Sequence, residues 1–414
     1  MYLKSASIFE RLLKQGRDQL QKVLKASKLP LAGATLPDKA SLSLTKEIYW
    51  VMGNEAADLD SIVSSVSFAI LKAHLNDSHS LTLPLINLPR DDINLRPEVL
   101  YVFEQCQLPH ELLLFIDDPL VLEWEELTAK AGFKSNFILV DHNQLHSRFS
   151  DWNGVVKAIY DHHVDEAAHP NANPRVIRPV GSNTSLVVEW WKKQHVDPHQ
   201  DILPDLALFM LAPILIDTVN LKGEYGRVTD LDVEVAGILR SLIISASFKG
   251  DDMYFKSIDD AKVSVSHMTP NQLLRRDFKL WTTPISNRRL GIASIVNWAL
   301  RDWVDFHSQS PESNMIKFAS LHNLDLLVVM GSKQYPSKDP CFRRDLYFYT
   351  PDHIVSDHLA KELPQMSELG LIPTSISTQP GFAFYDQSVV SASRKVTFPI
   401  FRDLLDEIPA SKPQ

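Results

Sequence analysis

A short apolar run, 155–160, ends in one acid and two imidazoles, Asp161, His162 and His163. An apolar segment of this length with charged residues directly after it is typical of a buried β-strand. Parallel strands of α/β proteins present such residues at their carboxyl ends, where ligands bind. Oxygen and nitrogen ligands would therefore meet in one crevice, and this combination suits a divalent metal ion.

Other segments also place aspartates at the end of an apolar run. A single aspartate in that position is most often a helix cap or a turn residue, and Asp-His-His by itself could equally be structural. A pair of divalent ions, by contrast, needs carboxylates from several segments, at least one of them bridging. The recurrence therefore favours one metal site built from segments 53–61, 140–143, 161–163 and 214–218.

Short apolar runs alternate with helical patterns through the first part of the chain, which predicts an α/β domain with a parallel sheet and flanking helices. We expect Pro213 to bend or end the helix that contains it. The predicted strands are 47–52, 81–88, 112–116, 137–140 and 155–160, and the predicted helices are 62–75, 99–106, 183–191, 203–216 and 228–242.

A chain of 414 residues is long for one compact core, so we expect two domains. Residues 1–44 are predicted to form an amphipathic helix and a connection; the helix could be a partner site, a weak targeting element or a cover on the core. Residues 45–250 are predicted to form the first domain and 251–269 a linker. Residues 270–414 should form a smaller α/β domain with strands at 290–295, 324–330 and 346–350.

The net charge of −9 argues against a nucleic-acid partner and against a general attraction to polyanions. An anionic substrate would need metal ions and a local cluster of basic residues. The sequence has no secretory signal and no window of about 20 apolar residues, so no membrane association is expected. Because Cys106 and Cys341 give no disulfide framework, we expect a reducing, cytoplasmic location, with a mitochondrial pool left open. The oligomeric state is also open, with a monomer favoured.

The motif Asp161-His162-His163, together with the turn around Asp58 and Asp60 and the segment 140–143, resembles the DHH phosphoesterase superfamily. The segments 53–61, 88–96 and 214–220 are similar to the branch that holds fungal exopolyphosphatase and the animal protein prune. The related family II inorganic pyrophosphatases share the metal motifs. The resemblance extends from about 48 to 405.

The resemblance implies a set of residues that hold two divalent cations, Mn²⁺ or Mg²⁺, with Co²⁺ as a further candidate. Asp141 would bridge the two ions and would thus be catalytic, and His163 would face the phosphate or the leaving oxygen. His142 and Ser182 are further candidates for contacts with a ligand or with phosphate. The implied metal ligands are Asp58, Asp60, Asp141, His162 and Asp217.

One position departs from the pyrophosphatase pattern. In the pyrophosphatases the first motif begins with a histidine ligand, and here that position is Asn54. An amide is a poorer ligand than imidazole, so one ion would be held more weakly or would carry an extra water. The departure favours the exopolyphosphatase branch.

The second domain resembles the DHHA2 module, which supplies basic residues to the substrate. The segments 276–279 and 393–395 are similar to its basic motifs, which implies that Lys279, Arg394 and Lys395 bind phosphates. Without the family, Arg394 and Lys395 would be a solvated surface pair. Arg90 and Arg96 are candidates for extending the binding channel to longer chains, and Asp117 and Asp118 are interpreted as a helix cap or turn.

The predicted function is therefore a metal-dependent exopolyphosphatase that releases terminal orthophosphate from inorganic polyphosphate through a water activated by two metal ions. The alternatives are an inorganic pyrophosphatase or a nucleotide phosphodiesterase of the same superfamily. A scaffold protein related to prune, with a vestigial metal site, is the alternative from another class.

Overall fold

The computed structural model describes most of the chain as two compact units, Met1–Lys262 and Val263–Gln414. Each unit has its own sheet and its own core. The described residues are 8–27, 47–75, 80–131, 134–152, 154–194, 203–243, 248–265, 268–301, 310–335, 342–374 and 379–409.

The first unit contains a six-stranded sheet in the order β3-β2-β1-β4-β5-β6. All of its strand pairs are parallel. The predicted parallel-sheet α/β domain is thus confirmed, and β6 is an addition that the apolar pattern did not predict. The strands are β1 (Glu47–Met52), β2 (Ser80–Ile86), β3 (Leu114–Phe115), β4 (Ser135–Val140), β5 (Val155–Asp161) and β6 (Arg175–Ile177).

Helices cover the sheet of the first unit. Pro213 lies inside α6 and does not end it, because the helix continues to Asp217. Among the helices that the structure describes, none is both long enough and apolar enough to cross a membrane. The helices are α1 (Ile8–Ser27), α2 (Leu59–His74), α3 (Pro97–Gln105), α4 (Pro119–Ala131), α5 (Asn183–Lys192), α6 (Leu203–Asp217), α7 (Asp230–Leu242) and α8 (Asp251–Val263).

The strands are buried on both faces, as near-continuous apolar runs require. In β1, Val51 packs in one hydrophobic core and Trp50 in another, since neighbouring side chains of a strand point to opposite faces. Helix α1 contributes to both cores, with Phe9 in the first and Leu20 in the second. Its apolar face therefore covers the core of this unit.

The division between the units differs from the boundaries expected from composition. The stretch 251–269 is polar, yet it begins with helix α8, whose Tyr254 and Ile258 are buried in the core of the first unit. The first unit accordingly extends to Lys262. The predicted connection before residue 45 lies largely outside the described residues, as does Cys341, and Cys106 is a free thiol.

The second unit is also α/β, as predicted. Its mixed sheet has the order β11-β12-β10-β9-β8-β7, with β8 and β9 parallel and the other pairs antiparallel. The strands are β7 (Phe278–Thr282), β8 (Arg289–Val296), β9 (Leu326–Gln334), β10 (Phe342–Tyr349), β11 (Leu371–Pro373) and β12 (Phe382–Gln387), and the helices are α9 (Pro270–Arg276), α10 (Pro311–Leu321), α11 (His353–Glu362) and α12 (Arg394–Asp406).

Candidate metal centre

The carboxyl ends of β1, β4 and β5 lie side by side at one edge of the parallel sheet. The chain proceeds from β1 to β2 on one side and returns to β4 on the other, so a crevice forms where the strand order reverses. Asp141 directly follows β4, and Asp161 is the last residue of β5. The topology thus brings together three of the four segments whose spacing suggested a metal site.

A cavity of about 350 Å³ opens at this edge. All the metal ligands implied by the sequence line it, and so does His163. Asp217 reaches the cavity as the last residue of α6. The lining residues are Asp58, Asp60, Asp141, His162, His163, Pro179, Val180, Gly181, Asp217, Gly226, Arg227 and Thr229.

Asp141 is buried, and hydrogen bonds hold only one of its two carboxylate oxygens. Its Oδ2 accepts hydrogen bonds from Ser61 Oγ at 2.6 Å and from Asn54 Nδ2 at 2.9 Å. Its Oδ1 is buried and has no hydrogen-bond partner among the described residues. The residue also has a φ of 61°, a strained conformation that concentrates at functional sites. One oxygen is therefore fixed, and the other is directed to the cavity.

His162 presents its second ring nitrogen to that free oxygen. Nδ1 lies 2.9 Å from the carbonyl oxygen of Val180, which can only accept, so Nδ1 carries the hydrogen. Nε2 of the neutral ring then has a lone pair, and it lies 3.1 Å from Asp141 Oδ1 and 4.0 Å from Asp60 Oδ2. Facing lone pairs repel unless a proton or a metal cation lies between them.

The raised pKa values of the clustered carboxyl groups also indicate a site for a cation. Burial raises the pKa of Asp141 to about 7, and the nearby charges of Asp60 and Asp58 add to this shift. Burial and the same carboxylates raise the pKa of Asp217 well above its usual range, and Asp217 Oδ2 is buried without a hydrogen-bond partner among the described residues. Grouped carboxylates oppose ionisation, and a divalent cation would remove this cost. The donor set therefore fits a metal ion.

A proton is the alternative occupant of the gap beside His162. Burial alone would lower the pKa of this ring, but a proton on Nε2 would be donated to Asp141 Oδ1, and this hydrogen bond and the charge of Asp60 raise the pKa to about 10. Without a cation, the site thus gathers protons to balance its carboxylates. The ligand atoms of Asp141, His162 and His163 all lie within 4.8 Å of one another, which is close enough to share one ion.

Asp60 belongs to α2, and its carboxylate lies at the N-terminus of α5, where backbone N–H groups stabilise an anion. Its Oδ2 accepts from Asn183 N at 2.6 Å, and its Oδ1 accepts from Thr184 N at 3.0 Å and from Ser182 Oγ at 2.8 Å. The hydroxyl of Ser182, a candidate contact for phosphate, thus donates to a protein carboxylate. The capping groups of this helix orient Asp60 within the cavity.

His163 is oriented by the residue that opens its motif. The ring Nδ1 lies 2.8 Å from Oδ1 of buried Asp161, which leaves Nε2 for other partners. The other oxygen of Asp161 accepts from Asn143 Nδ2 at 2.6 Å. The hydrogen bond that His163 Nδ1 donates to Asp161 Oδ1 is the main cause that raises the pKa of His163, whose side chain is 55% exposed. The ring is thus held in place at the mouth of the cavity.

Several candidates have other roles in the structure. His142 does not line the cavity; its Nδ1 lies 2.9 Å from the Val140 carbonyl, and burial lowers its pKa. Arg96 donates to the carbonyl of Ala56, at 2.7 Å from Nη2. Arg90 pairs with Asp118 at 3.1 Å and donates to the Leu113 carbonyl. Both arginines therefore hold loops of the first unit together.

The side-chain amide of Asn54 is not oriented as a metal ligand would be, because its oxygen does not face the cavity as a free acceptor. The amide nitrogen donates to Asp141, and the amide oxygen accepts from the backbone N–H of Ala57 at 3.2 Å. Both ends of the side chain are thus engaged within the protein. Asn54 positions the Asp141 carboxylate, a role that the sequence comparison with a histidine ligand did not suggest.

Other positioning residues carry no sequence signal. Asp232, at the start of α7, is fully buried and accepts hydrogen bonds from Gly181 N at 2.8 Å and from Ser185 Oγ at 2.7 Å. A side chain at Gly181 would lie within 2.7 Å of Asp232 Oδ2, so glycine is required there. Ser61 and Asn143, described above, hold Asp141 and Asp161. Only the folded structure identifies these partners.

The basic residues implied by the sequence lie in the second unit. Lys279 is exposed on β7, and Lys395 is exposed in the first turn of α12. Arg394 begins α12 and donates to the carbonyl oxygen of Asp277 at 2.8 Å and to its Oδ1 at 2.7 Å. Because Asp277 directly precedes β7, Lys279 and Arg394 lie at the same end of this sheet.

Two family models match the chain: "DHH family, N-terminal domain" over residues 49–214 and "DHHA2 domain" over residues 256–404. A Schizosaccharomyces pombe protein named "Putative exopolyphosphatase" is 30% identical over 97% of this chain and 99% of its own length. Human "Exopolyphosphatase PRUNE1" is 27% identical over 91% of this chain and 81% of its own length.

A relative that matches a smaller share of the chain is the "Manganese-dependent inorganic pyrophosphatase" of Methanocaldococcus jannaschii, which is 28% identical over 59% of this chain and 70% of its own length. The similarity to the exopolyphosphatases thus covers both units, whereas the aligned region of this pyrophosphatase is shorter. The chain therefore belongs to the DHH family, in the branch that carries a DHHA2 domain and holds the exopolyphosphatases and prune.

Proposed function

We propose that this protein is a metal-dependent exopolyphosphatase that removes terminal orthophosphate from inorganic polyphosphate. The observation that carries the proposal is a pair of buried carboxylate oxygens, on Asp141 and Asp217, that accept no hydrogen bond from the described residues and lie in a cavity that also contains His162 and His163. The names of the relatives that match nearly the full chain favour polyphosphate as the substrate. A cytoplasmic location remains a prediction.

The proposed cofactors are two divalent cations, Mn²⁺ or Mg²⁺, with Co²⁺ as a further candidate. Manganese is named in the pyrophosphatase relatives, and a histidine among carboxylates suits Mn²⁺. When bound, such ions neutralise phosphoryl oxygens and lower the pKa of water. The proposed ligands are Asp58, Asp60, Asp141, His162 and Asp217, all of which line the cavity.

The roles of the protein groups follow from their contacts. Asn54 and Ser61 orient the Asp141 carboxylate so that Oδ1 faces the cavity. His163, held by Asp161, is the proposed donor to the leaving phosphate oxygen, because its Nε2 is not used by that hydrogen bond. Lys279, Arg394 and Lys395 remain proposed phosphate-binding residues, since cations offset the charge of an anionic chain.

The test of this function is orthophosphate release from long-chain polyphosphate, tripolyphosphate, pyrophosphate and nucleoside tetraphosphates, each with Mn²⁺, Mg²⁺ or Co²⁺. We expect the fastest release from polyphosphate and none after chelation. Faster release from pyrophosphate at equal phosphate content would assign a pyrophosphatase. No hydrolysis and no bound metal would assign a scaffold with a vestigial site.

Asn54→His is expected to raise the ratio of kcat/KM for pyrophosphate to that for tripolyphosphate by at least about tenfold. An imidazole is a better ligand than an amide, and the amide of Asn54 is now used to hold Asp141 and Ala57. Steady-state kinetics on both substrates measure the ratio.

Asn54→Gln is the matched control, because it keeps an amide and should not raise the ratio. An unchanged ratio in Asn54→His would show that this position does not set specificity. Mn²⁺ titration calorimetry on each variant separates a change in metal affinity from a change in substrate preference.

Arg394→Ala is expected to raise the KM for polyphosphate by about tenfold with a small change in kcat. Asp277→Ala is the control, since it removes the ion pair but leaves the arginine in place. If Arg394 serves only Asp277, the two variants will behave alike. If Arg394 binds phosphate, Asp277→Ala will leave the KM unchanged or lower it. An unchanged KM in Arg394→Ala would contradict the assignment.

A further inference from the structure

The loop 218–229 connects helix α6 with helix α7 at the edge of the metal cavity. Asp217 lines the cavity just before this loop, and Arg227 lines it near the end of the loop. Arg227 is the only lysine or arginine among the described residues that line the cavity. The first unit therefore places one guanidinium group beside its cluster of carboxylates.

The backbone around Arg227 is fixed by its neighbours. Gly226 precedes it with a φ of 66°, a left-handed conformation that glycine adopts without strain. Thr229 follows it and donates from its backbone N–H to Asp232 Oδ2 at 2.9 Å. The same oxygen accepts from the backbone N–H of Gly181 at 2.8 Å, so buried Asp232 joins the loop to another segment of the cavity wall. Arg227 is therefore held beside the cavity without the use of its side chain.

The side chain of Arg227 is exposed and forms no hydrogen bond or ion pair with the residues that the structure describes. Four carboxylates line the same cavity, on Asp58, Asp60, Asp141 and Asp217. An arginine that served to neutralise these carboxylates would form an ion pair with at least one of them. The guanidinium group is therefore left for a partner that the first unit does not supply.

Charge balance indicates what that partner is. Two divalent cations carry as much positive charge as the four carboxylates carry negative charge, so they leave no positive excess for an incoming phosphate. A further cation beside the cavity would supply that excess. A guanidinium group also binds two phosphate oxygens at once through parallel N–H groups, which fixes the orientation of the anion. Arg227 thus has both the charge and the paired donors that a phosphate group requires.

We propose that Arg227 binds the terminal phosphate group of the substrate, the group that enters the metal cavity. The proposal rests on the proposed function, because it takes a phosphate chain as the ligand. The basic residues proposed in the second unit would bind other phosphates of the chain. The contribution of Arg227 should therefore be the same for short and for long chains.

Arg227→Gln in the full chain tests this assignment. We expect the kcat/KM for tripolyphosphate and for long-chain polyphosphate to fall by the same factor, about tenfold or more, because charge-assisted hydrogen bonds are lost. Arg227→Lys should retain part of the rate, since an ammonium group keeps the charge but not the parallel donors. A loss confined to long chains would overturn the assignment to the terminal phosphate.

Lys222→Gln is the matched control. Lys222 lies on the same loop and is also exposed, but it does not line the cavity. Its replacement removes the same charge from the same loop and should leave kcat/KM unchanged. Equal losses in the two variants would overturn the proposal, because they would show that only the general charge of the loop matters. The thermal unfolding temperature of each variant verifies that the fold is kept.

Orthophosphate binding separates this inference from the proposed function, because it requires no turnover. Calorimetric titration of orthophosphate in the presence of Mg²⁺ should show at least about tenfold weaker binding to Arg227→Gln than to Lys222→Gln. If the wild-type protein hydrolyses no polyphosphate but this difference persists, the proposed function fails and the phosphate-binding role of Arg227 stands. Equal affinities, or no binding of orthophosphate by the wild-type protein, would overturn that role.

Discussion

Asp141→Asn is expected to lower orthophosphate release from polyphosphate by at least about a thousandfold. The carboxylate uses one oxygen for Asn54 and Ser61 and directs the other at His162. An amide can keep its oxygen on the first side only by turning its NH₂ group towards His162 and the cavity. An NH₂ group is no metal ligand, so the proposed contact of this side chain with the metal ions would be lost.

Metal binding supplies a readout that does not depend on activity. Mn²⁺ should raise the thermal unfolding temperature of the wild-type protein, since a ligand that binds only the folded state at a hundred times its Kd stabilises by about 2.7 kcal/mol. Asp141→Asn should lose most of that shift while remaining folded without metal, because it removes one buried negative charge.

Asp165→Asn is the matched control for Asp141→Asn. Asp165 lies close in sequence to the histidines, yet it forms a partly exposed ion pair with Arg175 and does not line the cavity. Its replacement should leave both turnover and the Mn²⁺ shift unchanged. A rate near that of the wild type in Asp141→Asn would remove the two-metal assignment.

Asp161→Asn is expected to lower kcat by about a hundredfold, with Mn²⁺ binding largely kept. Asp161 Oδ1 accepts from His163 Nδ1 and from the backbone N–H of His162 and His163, and Oδ2 accepts from Asn143. All of these groups are hydrogen-bond donors, and both carboxylate oxygens of Asp161 accept from them. An asparagine offers only one acceptor end, so at least one donor would meet another donor, and the His163 ring would lose its orientation.

A double-mutant cycle tests whether Asp161 acts through His163. Substitutions of residues that work as a unit have non-additive effects on the rate. The double variant Asp161→Asn with His163→Gln should therefore turn over no more slowly than His163→Gln alone. Losses that multiply would show that Asp161 contributes through another group. Calorimetric Mn²⁺ affinities on the same proteins identify any loss that arises from a displaced His162.

The local elements were largely predictable because each has a strong pattern. The apolar run that predicts β5 ends one residue before the strand does, and β1 spans the predicted residues 47–52. The topology of a parallel sheet then brings Asp141 and Asp161 to one edge. Weak patterns were less informative: the short strand β6 and the polar helix α8 are defined by their neighbours rather than by their own composition.

The partners of the site residues were not predictable. Asp232 lies about seventy residues beyond the histidine motif, yet it anchors the Gly181 backbone beside the cavity. Arg90 and Arg96 looked like candidates for an extended channel, but their donors bind Asp118 and carbonyl groups. A hydrogen bond between distant segments depends on distances of a few tenths of an ångström, which spacing along a chain does not specify.

Local patterns in the chain were enough to predict the α/β class, the division into two units and the ligand types at one sheet edge, because apolar periodicity and strand ends are local properties. Only the tertiary structure decided how each group is used. It turned the amide of Asn54 towards Asp141 and placed the carboxylate of Asp60 at the N-terminus of α5. Buried polar groups must find hydrogen-bond partners, and which partners they find is settled only when distant segments pack together.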